Sequence, residues 1–480
     1  MNQYHRAARK YKKEGKTRLA NEHYVLALKQ NQNNPQILEE LGDYYKTQNR
    51  FQDALNCYCL INPRNGVVLN EMGICHFGLL QHDLAIDYFK QVLAIKNDLT
   101  DVYNNIGVCY VHMKQYTFAE FTFKISYSFK SDTAVLKLLG SLYFTTKQYE
   151  KSVFYWEKID DLTIPDLYNL SFSYLAQKKY EVGFKLYENR LLNNNINYQT
   201  KEKERVEISW IPYWNGVDAF TNLLIIYEQG IGDNIQYFRF IIELSEKYKN
   251  LHISYFCKDI VSDLFLLKDY PNLKIVDHVS LHEYSHKAFI MSLPYLMKVK
   301  RIEPVPKNYI KVNEKTTEYW KNAFSSFKKR FKVGYCHTSL LRSSIDKDIQ
   351  LREVEKLLSL DIDLICICKK QEMNLLELKE MEKYPNFHYF DIDQTVPFSD
   401  TIAILQNIDL LVTVDTYIVH LAGVMGIRTW LLLGYVSEWR WSNDEKFTYW
   451  YNTVELLRIE SEGKEFKYIL DDVKEKLSNI

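Results

Sequence analysis

Two hydrophobic rhythms divide the chain. From the N-terminus to about residue 190, apolar residues recur three and four positions apart, which predicts a succession of amphipathic helices with no strands. Beyond residue 221 the rhythm becomes short, β-branched apolar runs: Asn222 to Tyr227, His252 to Phe256, Lys274 to Val276, Phe289 to Leu293, Phe331 to Cys336, Leu364 to Cys368, Phe387 to Asp391, Leu410 to Val414 and Thr429 to Leu433. Runs of this kind suit strands buried on both faces of a parallel sheet. Helical stretches lie between them, at Asn234 to Lys247, from Leu351, at Thr401 to Ile408, at Tyr417 to Met425 and near Tyr468 to Leu477. Alternation of this sort predicts α/β units. Leu191 to Lys203 (LLNNNINYQTKEK) is polar, Asn-rich and aperiodic, and marks a boundary. The aromatic turn SWIPYWNG comes next, with Trp210, Trp214, Asn215 and Gly216 expected to pack on the next domain. The division expected is 1–190, a linker and turn at 191–221, a first α/β lobe at 222–312 and a second at 313–480.

The helical part is internally repetitive. Leu41-Gly42, Met72-Gly73, Ile106-Gly107 and Leu139-Gly140 are each followed, three residues after the Gly, by Tyr45, His76, Tyr110 and Tyr143. Ala54, Ala85, Ala119 and Ser152 come twelve residues after each Gly, and Tyr58, Phe89, Phe123 and Trp156 four further on. Tyr11, Ala20, Tyr24 and Ala27 give an earlier copy; Ser171, Tyr174, Gly183 and Tyr187 give a degenerate later one. Successive Gly positions are 31, 34 and 33 residues apart. The pattern resembles the tetratricopeptide repeat, which implies about six antiparallel helical hairpins stacked as an α-solenoid with a concave face. Such a groove would dock a protein partner or a protein or glycan acceptor; the alternative is that the solenoid only stabilises the downstream domain.

Composition narrows the function classes. Lys plus Arg and Asp plus Glu are both 61, so no net field favours nucleic acid as a partner. The longest apolar runs are of strand length and the first residues, MNQYHRAARKYKKEGK, are polar and basic, so neither a membrane span nor a signal peptide is expected, and a cytoplasmic setting is implied. Eight cysteines include two C-x-C pairs but no C-x-x-C spacing, which reads as buried thiols.

Candidate chemistry gathers at two strand-to-helix turns. After Asn222 to Tyr227 comes EQGIGD, where Gly230 and Gly232 permit close backbone approach to a ligand at a helix start and Asp233 faces the opening. A third dinucleotide-type Gly is missing, since position 235 is Ile235, which disfavours NAD. After Leu410 to Val414 comes VDTYIVHLAG. Asp415 or Thr416 caps the helix, Gly426 stops it, and Thr416 and His420 are four residues apart, so both face an anion-binding helix mouth. Asp415 and Asp233 also read simply as N-caps, and His420 as a core histidine. HEYSH, from His282 to His286, fits the H-E-x-x-H zinc-protease pattern, but it is squeezed between strand-like runs where that motif needs a long helix.

Taken together, EQGIGD, MSLP at 291 to 294, VGYCHTS with Lys347-Asp348 after it, VDTYIVHLAG and LLGYVSEWRW resemble tetratricopeptide proteins whose C-terminal half is similar to glycosyltransferase family 9, the heptosyltransferases. The motifs run in the family's order over residues 210 to 460. The resemblance implies a GT-B pair of Rossmann-type lobes, a nucleotide-diphosphate sugar as donor substrate, no cofactor and no metal, and inversion at the anomeric carbon. It implies Asp233 as the base, Lys347 as a phosphate-neutralising cation, and Thr416 and His420, beside Asp415, Gly230 and Gly232, as the donor site. Tyr417 departs from the Gly usual after that D-T, and the basic loop around Lys347 is thin. These departures motivate an alternative, a non-catalytic scaffold with a degenerate transferase half.

Overall fold

The computed structural model describes residues 3–192, 208–305, 307–327, 331–338, 348–370, 373–441 and 445–480. Packing divides the chain into two compact units, Met1–Asp160 and Asp161–Ile480.

The first unit is a repeat of helical hairpins. Its described residues form ten helices, paired as α1 (Gln3–Lys13) with α2 (Thr17–Gln30), α3 (Pro35–Thr47) with α4 (Phe51–Cys59), α5 (Gly66–Gly78) with α6 (His82–Ile95), α7 (Thr100–His112) with α8 (Tyr116–Phe129), and α9 (Thr133–Thr145) with α10 (Tyr149–Trp156). The repeat glycines explain the pairing. A Cβ on Gly42 would lie 2.7 Å from the Tyr58 ring, one on Gly73 2.6 Å from Phe89, and one on Gly140 2.7 Å from Trp156; Gly107 meets Phe123 in the same way. Each glycine thus makes room for the aromatic sixteen residues on, and Ala54, Ala85, Ala119 and Ser152 are wholly buried in the same seams. Asn34, Asn65 and Asp132 cap α3, α5 and α9, accepting from Ile37 N at 3.2 Å, Val68 N at 2.9 Å and Ala134 N at 3.1 Å. The hairpin turns share a further device. Asn49, Leu80, Lys114 and Lys147, each seven residues after its repeat glycine, are left-handed, with φ between 58° and 62°.

A sixth hairpin, α11 (Ile164–Ala176) and α12 (Tyr180–Tyr187), repeats this design, with Lys178 left-handed at φ 59°, but by packing it belongs to the second unit. The sequence groups it with the repeats. Its Leu175, Tyr180, Phe184 and Tyr187 share one continuous core with the α/β elements, which is why the compact boundary precedes it.

The rest of the second unit holds two parallel sheets. The first has strand order β3-β2-β1-β4, from β1 (Asn222–Ile226), β2 (His252–Phe256), β3 (Leu273–Val276) and β4 (His286–Phe289). The second has order β10-β9-β8-β5-β6-β7, from β5 (Phe331–Cys336), β6 (Ile362–Cys366), β7 (Phe387–Tyr389), β8 (Leu410–Val414), β9 (Thr429–Leu433) and β10 (Val454–Arg458). Helices α13 (Ile231–Lys247), α14 (Glu314–Phe324), α15 (Leu375–Met381), α16 (Ser399–Leu405), α17 (Tyr417–Met425) and α18 (Ile469–Ser478) accompany them. In each sheet the chain winds outward from its first strand, returns, and continues on the other side. Reversal falls between β1 and β4 in one sheet and between β5 and β8 in the other, the places where open parallel sheets collect ligands.

Several expected boundaries shift. α13 begins at Ile231 rather than Asn234, because Gly230 supplies the cap and Asp233 closes the first turn. The strand expected at Phe289 to Leu293 is β4, three residues earlier, and its apolar continuation is a buried turn, Ile290–Ser292. β6 ends at Cys366, two residues before the apolar run does. The segment from Leu351 is a 3-10 helix, Leu351–Leu357. HEYSH is not helical: His282 sits in a 3-10 turn and His286 opens β4. Gly426, left-handed at φ 74°, ends α17 as its residue type demands. Among the described residues no helix is long and apolar enough to cross a membrane.

Candidate functional site

The turn after β1 is held from below by a buried ion pair. Glu228 accepts from Arg190 through both carboxylate oxygens, at 3.0 and 2.7 Å, and from Met291 N at 3.0 Å. Arg190 also donates to Ser292 Oγ at 2.8 Å and to Glu188 at 2.6 Å, and lies over the Tyr187 ring. Burial works against the guanidinium charge, but the Glu228 and Glu188 carboxylates more than offset it, so Arg190 holds its proton more firmly than usual. One network therefore joins the end of α12, the EQGIGD turn and the MSLP turn. Gln229, next in line, is left-handed at φ 61° while its Nε2 donates to Tyr187 Oη at 2.8 Å. A non-Gly residue in that conformation costs roughly 1–3 kcal/mol and persists where its surroundings over-determine it.

Above this anchor the two helix mouths meet. The α13 and α17 helices pack on each other. A Cβ on Gly232 would stand 2.8 Å from His420 Cδ2 and 3.3 Å from Tyr417 Cα, so only glycine permits this approach. The carboxylate of Asp233 is used twice: Oδ2 accepts from Gly230 N at 3.0 Å, and Oδ1 lies 2.8 Å from Arg440 Nη1. Arg440 Nη1 also donates to Gln236 Oε1 at 2.9 Å, and its Nε sits 3.0 Å from Glu438. Burial disfavours the Arg440 charge, yet Asp233 and Glu438 hold it well above its usual value.

The structure brings most of the sequence-derived residues together. Gly230, Gly232 and Asp233 occupy the first turn of α13 and its cap. Thr416 caps α17 through Ile418 N at 3.2 Å. Asp415, just before it, contributes to the field on Arg440. His420 is buried, accepts or donates through Nδ1 to Tyr451 Oη at 2.9 Å, and stacks on Trp441 with ring centroids 5.4 Å apart. Tyr417 directs its ring to the edge of Phe398, 5.4 Å away. Lys347 lies outside the described residues. A cleft of about 390 Å³ is lined by Lys178, Lys300, Arg301 and Tyr449, and none of the sequence-derived residues borders it.

Sequence reasoning missed Arg440, Glu228, Arg190 and Ser292 as members of the site. Three of them stand inside motifs already quoted, EQGIGD, MSLP and LLGYVSEWRW. The signal available was Glu228 itself, a carboxylate two residues past the apolar run Leu223 to Ile226, where burial calls for a countercharge.

No protein-family model matches the chain, and no curated protein matches it. Among solved structures, a crystal structure of MamA is similar at 21% identity, over 33% of this chain and 92% of that one, with a TM-score of 0.30. PilW, described as a widely conserved type IV pilus biogenesis factor, is similar at 19% identity over 43% and 99%, with a TM-score of 0.36. A tetratricopeptide repeat protein from Parabacteroides merdae ATCC 43184 is similar at 16% identity over 39% and 78%, with a TM-score of 0.35.

Proposed function

We propose that the second unit is a glycosyltransferase of GT-B architecture, which moves a sugar from a nucleotide-diphosphate donor to an acceptor presented by the helical repeat. The observation that carries this reading is the meeting of two helix N-termini that follow strands of two separate parallel sheets, with the buried Arg440 paired to Asp233 at one of them. The positive ends of two helix dipoles and the Arg440 guanidinium suit a leaving diphosphate. Donor binding would turn Arg440 from Asp233 to the diphosphate, and Asp233 Oδ1 would then be free to accept the acceptor's hydroxyl proton. The acceptor oxygen bonds to the anomeric carbon as the bond to the diphosphate breaks, and the nucleoside diphosphate departs with that electron pair. The stereochemistry is inversion, and the family resemblance implies that the transfer step needs no metal.

The test is Asp233→Asn. Loss of a general base typically lowers turnover by about 10²–10⁴-fold, with donor binding, read by thermal shift, retained. Unchanged transfer rates would remove Asp233 from the mechanism.

A second reading, a non-catalytic scaffold, is favoured by one observation: there is no room for a Cβ between Gly232 and His420 and both Asp233 oxygens are engaged, so the mouth is closely packed. A thermal-shift panel of nucleotide sugars separates the two, since a donor at 100 times its Kd stabilises by about 2.7 kcal/mol. No shift with any donor, together with no donor hydrolysis, supports the scaffold.

A further inference from the structure

We propose that Cys336, His337, Cys366 and Cys368 form a zinc-binding site at the C-terminal ends of β5 and β6, separate from the residues given roles in transfer. The sequence spacing conceals it, because the four donors come as adjacent and alternate residues on two strands instead of as a C-x-x-C knuckle. Sheet register brings them together. Tyr335 pairs with Cys366 in the parallel ladder, and Ile367 N donates to Tyr335 O. His337 and Cys368, each two residues further on, therefore emerge side by side, and the His337 ring lies nearly parallel to that of Tyr335 on the same face.

Two of the six donor-to-donor distances are those of a metal polyhedron. Cys368 Sγ lies 3.7 Å from Cys336 Sγ and 3.3 Å from His337 Nδ1. The donor atoms of His337, Cys366 and Cys368 all lie within 4.8 Å of one another. Zinc bonds of about 2.3 Å to sulfur and about 2.0–2.1 Å to nitrogen give tetrahedral edges of about 3.8 Å between sulfurs and about 3.5 Å from sulfur to nitrogen. Two edges are thus already close to length. The remaining adjustment falls chiefly on Cys336, which stands outside that group of three and whose Sγ lies 3.5 Å from Thr338 O, while Cys366 Sγ must leave its 3.7 Å contact with Met373 Sδ. All four residues are buried. Three sulfurs and one imidazole nitrogen, with no carboxylate among them, select a soft or borderline ion over magnesium or calcium, and four donors complete the tetrahedron of a structural zinc site.

Binding exchanges protons for the ion: three thiol S–H bonds break, three Zn–S bonds and one Zn–N bond form, and the protons leave to solvent. Cys336 is also paired with Thr413 on β8, three residues before Thr416, so an ion here would brace the strand edge from which the α17 mouth projects.

The experiment uses the full chain, reduced and stripped of metal under anaerobic conditions, then titrated with Co²⁺ and Zn²⁺. The expected result is one equivalent of Co²⁺ with tetrahedral ligand-field bands and thiolate charge transfer, displaced by Zn²⁺ with release of protons and a rise in Tm. Cys368→Ser and His337→Ala should each lose the stoichiometric step, and Cys109→Ser, on α7, should keep it. Should either variant fail to fold, the wild-type titration decides. Absence of stoichiometric binding, an octahedral cobalt spectrum, or full binding by folded Cys368→Ser and His337→Ala would overturn the site, as would a Cys336–Cys368 disulfide that forms in air without any metal having been held.

Discussion

The two units hold themselves together by opposite means. In the repeat, each stabilising contact is local and has copies: a glycine meets an aromatic sixteen residues away, and the motif recurs in four successive hairpins. In the α/β unit the decisive contacts are single and span long stretches of chain. Arg190 reaches Ser292, 102 residues on, and Arg440 reaches back 204 residues to Gln236. A repeat tolerates injury in proportion to the hairpin struck. A unit hung on one buried ion pair fails at that pair.

The strongest way to break this contrast is Arg190→Met. It strands the Glu228 carboxylate in the core, and removal of one partner of a buried pair typically costs about 3–5 kcal/mol. Urea unfolding should show the loss in the α/β transition; a loss below about 1 kcal/mol would mean the pair is not what holds the turn. Next comes Gly73→Val, which drives two methyl groups into Phe89. Overpacking of this kind costs about 1–3 kcal/mol, and hydrogen exchange should confine the weakening to hairpins around α5 and α6.

A comparable effect concerns Lys287, buried in β4, where it donates to Ile208 O at 2.6 Å and Ser209 O at 3.3 Å. Burial pushes its amine from 10.5 down to about 8. The folded chain therefore binds fewer protons than the unfolded one between those values, so its penalty is complete below pH 8 and disappears as pH rises toward 10.5. Measured against Lys287→Met, wild-type stability should climb across that window by roughly 3 kcal/mol. A flat difference would show that the two carbonyls fully compensate the charge. The smallest effect is Leu80→Asn: a left-handed turn position suits Asn better than Leu, and a gain on the order of 0.5–1 kcal/mol in the first unit is expected.

How much of the molecule the sequence made legible depends on how local each cause is. Tyr417 to Met425 reads as a helix with a Thr cap and a Gly stop because all three signals lie within eleven residues, and the structure has that helix. The Gly42, Gly73, Gly107 and Gly140 seams are legible for the same reason. Arg440 beside Asp233 is not, since nothing in either segment's pattern names its partner 207 residues away; only the folding of two sheets into one core does. β6 illustrates a subtler failure. Its apolar run continues through Cys368, but residue pairing with β5 ends at Tyr335 and Cys366, with one last bond from Ile367 N to Tyr335 O, and periodicity cannot see where a ladder ends.

The joint ownership of Arg190 carries a practical consequence for dissecting this protein. Cutting at residue 191, where the polar linker invites it, would sever Glu228 from its countercharge and peel Tyr180, Phe184 and Tyr187 off the core they share. Such a fragment should be insoluble. One beginning near residue 161 keeps its sixth hairpin as an integral wall and should stand on its own.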